Sequence, residues 1–341
     1  MVLGKDKSFL VVRAEEREFA ASLVDLGIDE VEAEQLSRSC SRSWTVLGRI
    51  LSRNAALRTP EWTRSAKGTV LSLLTLLACW DGDNPKDLGF VSRLMDREYG
   101  DIEAELQELL FVEDTPIMRI GSLWKVKSPL ELLSICGPKL TGDLLARFFD
   151  IAFEALQQLE PVGSGDEQVF GLDLLKPDRQ PYSARIRLSI ANTLAMMGAR
   201  LDVDRDPGQR TIQARIQSLI SALMTQMDLQ KWKSLGNLLP LLAEAGPGTF
   251  LTAMEKSLDV DSESPSSLIR ATDRSACWHA GLLYALEILA WNPANLGRVV
   301  QILARLSEIP IQGNWGNSPQ NSLNEILRSW SPQTSADVKA R

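Results

Sequence analysis

The sequence predicts a mainly α protein in three parts: a helical bundle, a small module of three helices with one β-hairpin, and a row of helical hairpins. Three observations carry that prediction. A small polar residue followed by proline recurs ahead of amphipathic runs, at Thr59-Pro60, Asn84-Pro85, Ser128-Pro129, Asp206-Pro207, Asn292-Pro293 and Ser318-Pro319. Leu-Ala pairs close helices at a near-constant spacing in the second half. One hairpin pattern, "PIMRIGSLWKV", interrupts an otherwise helical chain.

The proline pattern is a helix-start signal. The polar side chain accepts from an orphan backbone N–H, and proline at the first helical position has no N–H to lose. Three of the six sites carry a residue placed to bond back to the cap: Asp87 after Asn84, Glu131 after Ser128 and Gln209 after Asp206. Apolar residues follow with helical spacing, as in Leu296, Val299, Val300, Leu303 and Leu306, or Ile212, Ile216, Leu219, Ile220 and Leu223.

Residues 1–62 read as helices "EEREFAASLVDLG", "DEVEAEQLSRSC" and "SRSWTVLGRILSRN", with Asp29 and Ser41 as caps, after a short "FLVV" strand. Residues 63–130 give three more helices, "TVLSLLTLLACW", "PKDLGFVSRLMDREYG" and "DIEAELQELLFVE". In the hairpin that follows them, Met118 and Ile120 face Leu123, Trp124 and Val126 across a Gly-Ser turn. Three helices and a hairpin make a winged-helix module. Its third helix presents Asp101, Glu103, Glu105 and Glu108 and no Lys or Arg, which repels phosphate, so a protein-packing role is expected and nucleic acid is not.

Residues 131–341 carry the repeat. Ala195, Ala243 and Ala290 lie 48 and 47 residues apart, each ending a helix before a proline turn, close to the period of HEAT-like helical hairpins. A HEAT-like α-superhelix is therefore expected, in which each hairpin buries its face on the next. The closing "SPQTSADVKAR" starts a helix and stops within about one turn, so the superhelix is expected to continue in a longer protein.

Composition narrows the functional classes. The net charge of -7 gives no general pull toward nucleic acid or anionic membrane. The longest apolar block is too short to span a bilayer and no secretory leader is legible, so a cytoplasmic location is expected. Cys40, Cys79, Cys136 and Cys277 stand apart without a CxxC pair, as buried thiols rather than a disulfide or zinc framework. The acidic runs "DVDRD" and "DVDSES" lack EF-hand spacing. His279, the one histidine, has Cys277 and Glu287 nearby in sequence, but a continuous helix would turn 277 and 279 to different faces and set Glu287 more than two turns away. A hydrolase using His279 is thus the least favoured reading.

The stretch "LVDLGIDEVEAEQLSRSCSRSWTVLGRIL" resembles the helical lid of STAND-class P-loop ATPases. "RIGSLWKV", "WKSLGNLLPLLAEAGPGTFLTAME", "GLLYALEILAWNPANL" and "GNWGNSPQNSLNEILRSWSPQTSA" are similar to the C-terminal regions of large bacterial NTPases of this kind, several associated with antiphage defence. The resemblance implies a lid, a winged helix and a superhelical sensor that follow an ATPase core in the parent chain. No GxxxxGK[ST] occurs here, so the chain by itself is not expected to be an enzyme, and no catalytic residue, cofactor or metal site is expected. The expected partner is a protein or that ATPase core. The candidate interaction residues are Asn314, Trp315 and Asn317 in the turn-rich "IQGNWGNSPQNSL", where Trp315 is either an aromatic anchor for a partner or a plug at the end of the last hairpin. In the resembled proteins an arginine often precedes this proline; here it is Ser318.

Overall fold

In the computed structural model, residues 16–40, 42–65, 68–159, 181–200, 211–260, 265–270, 277–311 and 316–327 are described. The predicted "FLVV" strand, the Ser41 cap, the Asp206–Gln209 cap and "DVDRD" lie outside them. The chain divides into two compact units, residues 1–66 with 112–114, and residues 67–111 with 115–341.

The first unit holds α1 (Glu16–Asp25), α2 (Glu30–Cys40), α3 (Trp44–Leu51), α4 (Ala55–Arg58) and α5 (Trp62–Ser65). Asp29 caps α2 as expected, Oδ1 accepting from Val31 N at 3.0 Å. Ser43 caps α3. Phe19, Leu23, Ala33, Leu36, Cys40, Val46, Leu47 and Trp62 are among its buried residues, and Arg49 bonds the Leu57 carbonyl and pairs with Asp114.

The second unit begins with a winged helix: α6 (Gly68–Leu76), β1 (Cys79–Asp81), α7 (Pro85–Met95), α8 (Tyr99–Leu110), β2 (Ile117–Ile120) and β3 (Leu123–Val126). The hairpin turns at Gly121-Ser122, with Ile120 opposite Leu123. A strand joins it where the sequence reads as the end of a helix. Residues 79–81 pair antiparallel with β3, giving the order β1-β3-β2. Trp80 and Trp124 face each other in that pairing, stack at 6.1 Å and are fully buried, so burial of two indoles holds a strand of three residues in place.

Beyond it come α9 (Pro129–Cys136), α10 (Gly142–Gln157), α11 (Ala184–Arg200), α12 (Ile212–Leu223), α13 (Leu229–Leu235), α14 (Leu239–Ala245), α15 (Pro247–Leu258), α16 (Ser266–Arg270), α17 (Ala280–Ala290), α18 (Pro293–Ser307) and α19 (Pro319–Ile326). They form two layers. Helices α11, α14 and α17 lie side by side, α10, α12, α15 and α18 run alongside, and each of α11/α12, α14/α15 and α17/α18 packs as a hairpin. Polar rungs tie neighbouring hairpins at the repeat distance. Arg187 donates to Ser234 O and Oγ, Arg298 to Thr252 Oγ1, and Arg305 to the Leu258 carbonyl, partners 47, 46 and 47 residues apart. The three marker alanines are buried in α11, α14 and α17. A Cβ on Gly198 would stand 2.5 Å from the Ala245 carbonyl oxygen, and one on Gly281 would run into the Gly236 backbone, so the first layer packs at glycine distance.

Asn84, Asn292 and Ser318 cap α7, α18 and α19 through their side chains. The back-bonding partners do otherwise. Ser128 makes no side-chain cap bond, and Glu131 is buried. Asp87 is buried completely: its Oδ2 accepts from Asp81 N at 3.0 Å and Ser183 Oγ at 2.5 Å, its Oδ1 from Ser183 N at 3.0 Å. Burial pushes its pKa up, outweighing the donors that pull it down. Ser183 precedes α11, so this carboxylate fastens the winged helix to the first hairpin. Asn84 Nδ2 on the Pro181 carbonyl and Tyr182 edge-on to Phe90 reinforce the junction.

Candidate functional site

The His279 cluster differs from its sequence expectation. Helix α17 starts at Ala280, so residues 277 and 279 precede the helix and are not sent to opposite faces. Cys277 Sγ lies 3.5 Å from His279 Nε2 and 4.0 Å from Nδ1. Nε2 also stands 2.9 Å from the Asn317 carbonyl oxygen. A carbonyl only accepts, so Nε2 carries the proton and donates it. The nitrogen nearest the thiol therefore has no lone pair with which to take the thiol proton. Burial pushes the Cys277 thiol up, the reverse of thiolate activation. Glu287 accepts from Ser322 Oγ at 2.6 Å instead of orienting His279. These groups tie α17 to the segment that leads into α19.

Asn314 and Trp315 lie outside the described residues. Asn317 is half-buried, its carbonyl on His279 and its Nδ2 3.5 Å from Tyr284 Oη. It stands beside a surface that sequence reading passed over. Along α17 and its C-cap, Tyr284, Ile288 and Trp291 follow one another at helical spacing and are 48 %, 42 % and 48 % exposed. Three large apolar side chains so open on one helical ridge are the kind of feature that marks an interaction site.

The repeat explains what this ridge is. Stepping back by the 47 and 48 residues that separate the alanines, Tyr284 and Ile288 correspond to Asn237 and Leu241, then to Ser189 and Thr193. On α11 that face is closed: Ser189 is 5 % exposed and Thr193 0 %. The winged helix closes it, because Ser189 Oγ accepts from both Ala78 N at 2.8 Å and Cys79 N at 3.0 Å. Asn237 and Glu244 beside α17 are exposed, and Leu241 is partly so. One face of the helical layer is thus filled at its first hairpin and open at the next two.

Other features are poorer in chemistry. The acidic side chains of α8 are partly matched within the winged helix, Glu105 by Arg97 at 2.9 Å and Glu103 by Arg119 at 3.4 Å, while Arg119 lies over the Trp124 ring. A groove of about 430 Å³ between α10 and α12, walled by Phe149, Phe153, Arg215 and Leu219, brings no cysteine or histidine to its lining. Among the described residues no three His, Cys, Asp or Glu side chains converge as a metal site requires, and no helix is long and apolar enough to cross a membrane. No protein-family model, curated protein or solved structure matches the chain.

Proposed function

We propose that the chain is a non-catalytic regulatory region of a STAND-like ATPase of bacterial defence or signalling, working in the cytoplasm. A HEAT-like array recognises a protein partner, and the winged helix passes the consequence to an ATPase core. The observation that carries the recognition half is the face filled by the winged helix at α11 and left open at α14 and α17, with Tyr284, Ile288 and Trp291 exposed on the last of these hairpins. The fastening of α7 to α11 through Asp87 supports the coupling half, since a rigid junction transmits a displacement that a loose one absorbs. The ATPase itself rests on the family resemblance.

The second reading is a free-standing adaptor with the same recognition face and no ATPase. Sequencing the transcript upstream separates the two: an in-frame GxxxxGK[ST] after a predicted strand supports the ATPase-coupled reading, and a stop codon ahead of residue 1 with no such motif favours the adaptor. A hydrolase is disfavoured by the protonated Nε2 and the raised Cys277 thiol.

A further inference from the structure

We infer that the face formed by α14 and α17 binds an extended peptide segment of another protein, one that offers two apolar side chains and a lysine or arginine. This deepens the recognition half of the proposal above.

The chain contains its own example of the binding mode. Residues 78 and 79, entering β1, cross α11 with two consecutive backbone N–H groups on the single oxygen of Ser189. The counterparts of Ser189 in the next two hairpins, Asn237 and Tyr284, are exposed and carry side chains able to pair with a backbone N–H or C=O. A chain laid over α14 and α17 would therefore meet a polar side chain at each position equivalent to Ser189: Asn237 in the turn that leads into α14, and Tyr284 on α17. Beside each of these, where α11 has the covered Thr193, stand Leu241 and then Ile288, with Trp291 a turn further on. These supply the apolar contact, and Trp291 is the residue type most often dominant in such contacts.

Length and charge narrow the partner. Two helices with axes about 9 Å apart, each about 10 Å across, are spanned by about six extended residues at about 3.3 Å each. Glu244, the counterpart of Trp291 on α14 with Met196 before it, is exposed, and its carboxylate makes no ion pair or hydrogen bond among the described residues. A carboxylate at the rim of an apolar patch favours a cation on the partner and repels acidic segments. The open face also continues from the face of α11 that β1 and the residue before it already cover within the chain.

The test uses the full chain. A phage library of random seven-residue peptides is panned against it, and enriched peptides are synthesised with a fluorophore and titrated by anisotropy. The expected peptides carry two apolar residues and a Lys or Arg. Ile288→Glu, at an exposed position that leaves the melting transition unchanged, weakens them at least about tenfold, roughly 1.4 kcal/mol, and Glu244→Lys weakens them several-fold. Hydrogen exchange slows in α14 and α17 on binding. No enrichment, or equal binding to Ile288→Glu, overturns the inference. So does self-association that Ile288→Glu abolishes without any peptide bound, which assigns the face to a second copy. None of these failures touches the upstream P-loop result.

Discussion

Truncating Asp87 to alanine is the perturbation that bears most on how the winged helix is held. The carboxylate is wholly buried and satisfies three donors, Asp81 N, Ser183 N and Ser183 Oγ. Leaving the two part-buried backbone N–H groups unmet costs up to about 1–3 kcal/mol each. Removing the buried charge offsets part of that, because its raised pKa records an unpaid desolvation. The net expectation is a loss of about 2–4 kcal/mol. At about 2 °C per kcal/mol for a unit of this size, the melting transition falls by about 4–8 °C, read by circular dichroism or calorimetry. Asp87→Asn, which keeps one acceptor oxygen but turns an N–H₂ toward donors, falls between. The pH dependence has a definite sign. A folded pKa above the unfolded one means that the native state binds the extra proton in the window between them, so this site adds stability as pH falls through the folded pKa and loses it as pH rises. Asp87→Asn abolishes that component. If Asp87→Ala unfolds within about 0.5 kcal/mol of the parent, the carboxylate is not what fastens α7 to α11.

Three further outcomes follow from the array. Leu289→Ala should cost about 2–5 kcal/mol in urea unfolding, since Leu289 is buried in α17; an unchanged midpoint removes it from the core. Gly281→Ala should destabilise by about 1–3 kcal/mol despite better helix propensity, because its new Cβ meets the Gly236 backbone rather than a side chain that can swing away; a higher melting temperature would deny the close approach. Arg298 holds Glu255 below the usual carboxylate range through two 2.7 Å contacts. Its contribution is therefore complete above the unfolded pKa and lost as pH falls through the lower folded value; Glu255→Gln should flatten that acid limb by only about 0.5 kcal/mol, the pair being partly exposed.

What could be read from sequence was local. Asn84, Asn292 and Ser318 act on amides two or three residues away, and the caps come out as their residue types demand. Periodic apolar stripes and the 48- and 47-residue steps between Ala195, Ala243 and Ala290 likewise survive, because each records a face that must be buried, although Ala195 does not end its helix, α11 running on to Arg200. What failed was long-range. Asp87 has the spacing of a capping partner, yet its donors include Ser183, 96 residues on. The strand at 79–81 sits at the end of a continuous apolar run, where periodicity does not separate helix from strand and only pairing with β3 decides. Cys277 and His279 have the sequence surroundings of a continuous helix, but α17 begins only at Ala280. The ridge Tyr284, Ile288 and Trp291 has the spacing of a core face; that it is open follows only from which neighbours the fold supplies, and α11 shows the same face with one.

Recognition on this face requires the ridge to be open while the indoles of the winged helix and array are closed. Hydroxyl-radical footprinting of the full chain, read residue by residue by mass spectrometry, measures it directly. Tyr284 and Trp291 should oxidise readily, while Trp80, Trp124 and Trp232, each fully buried, should be protected. Protection of Tyr284 and Trp291 to the level of Trp232 would mean that the face is closed, and the recognition surface assigned to it would have to be given up.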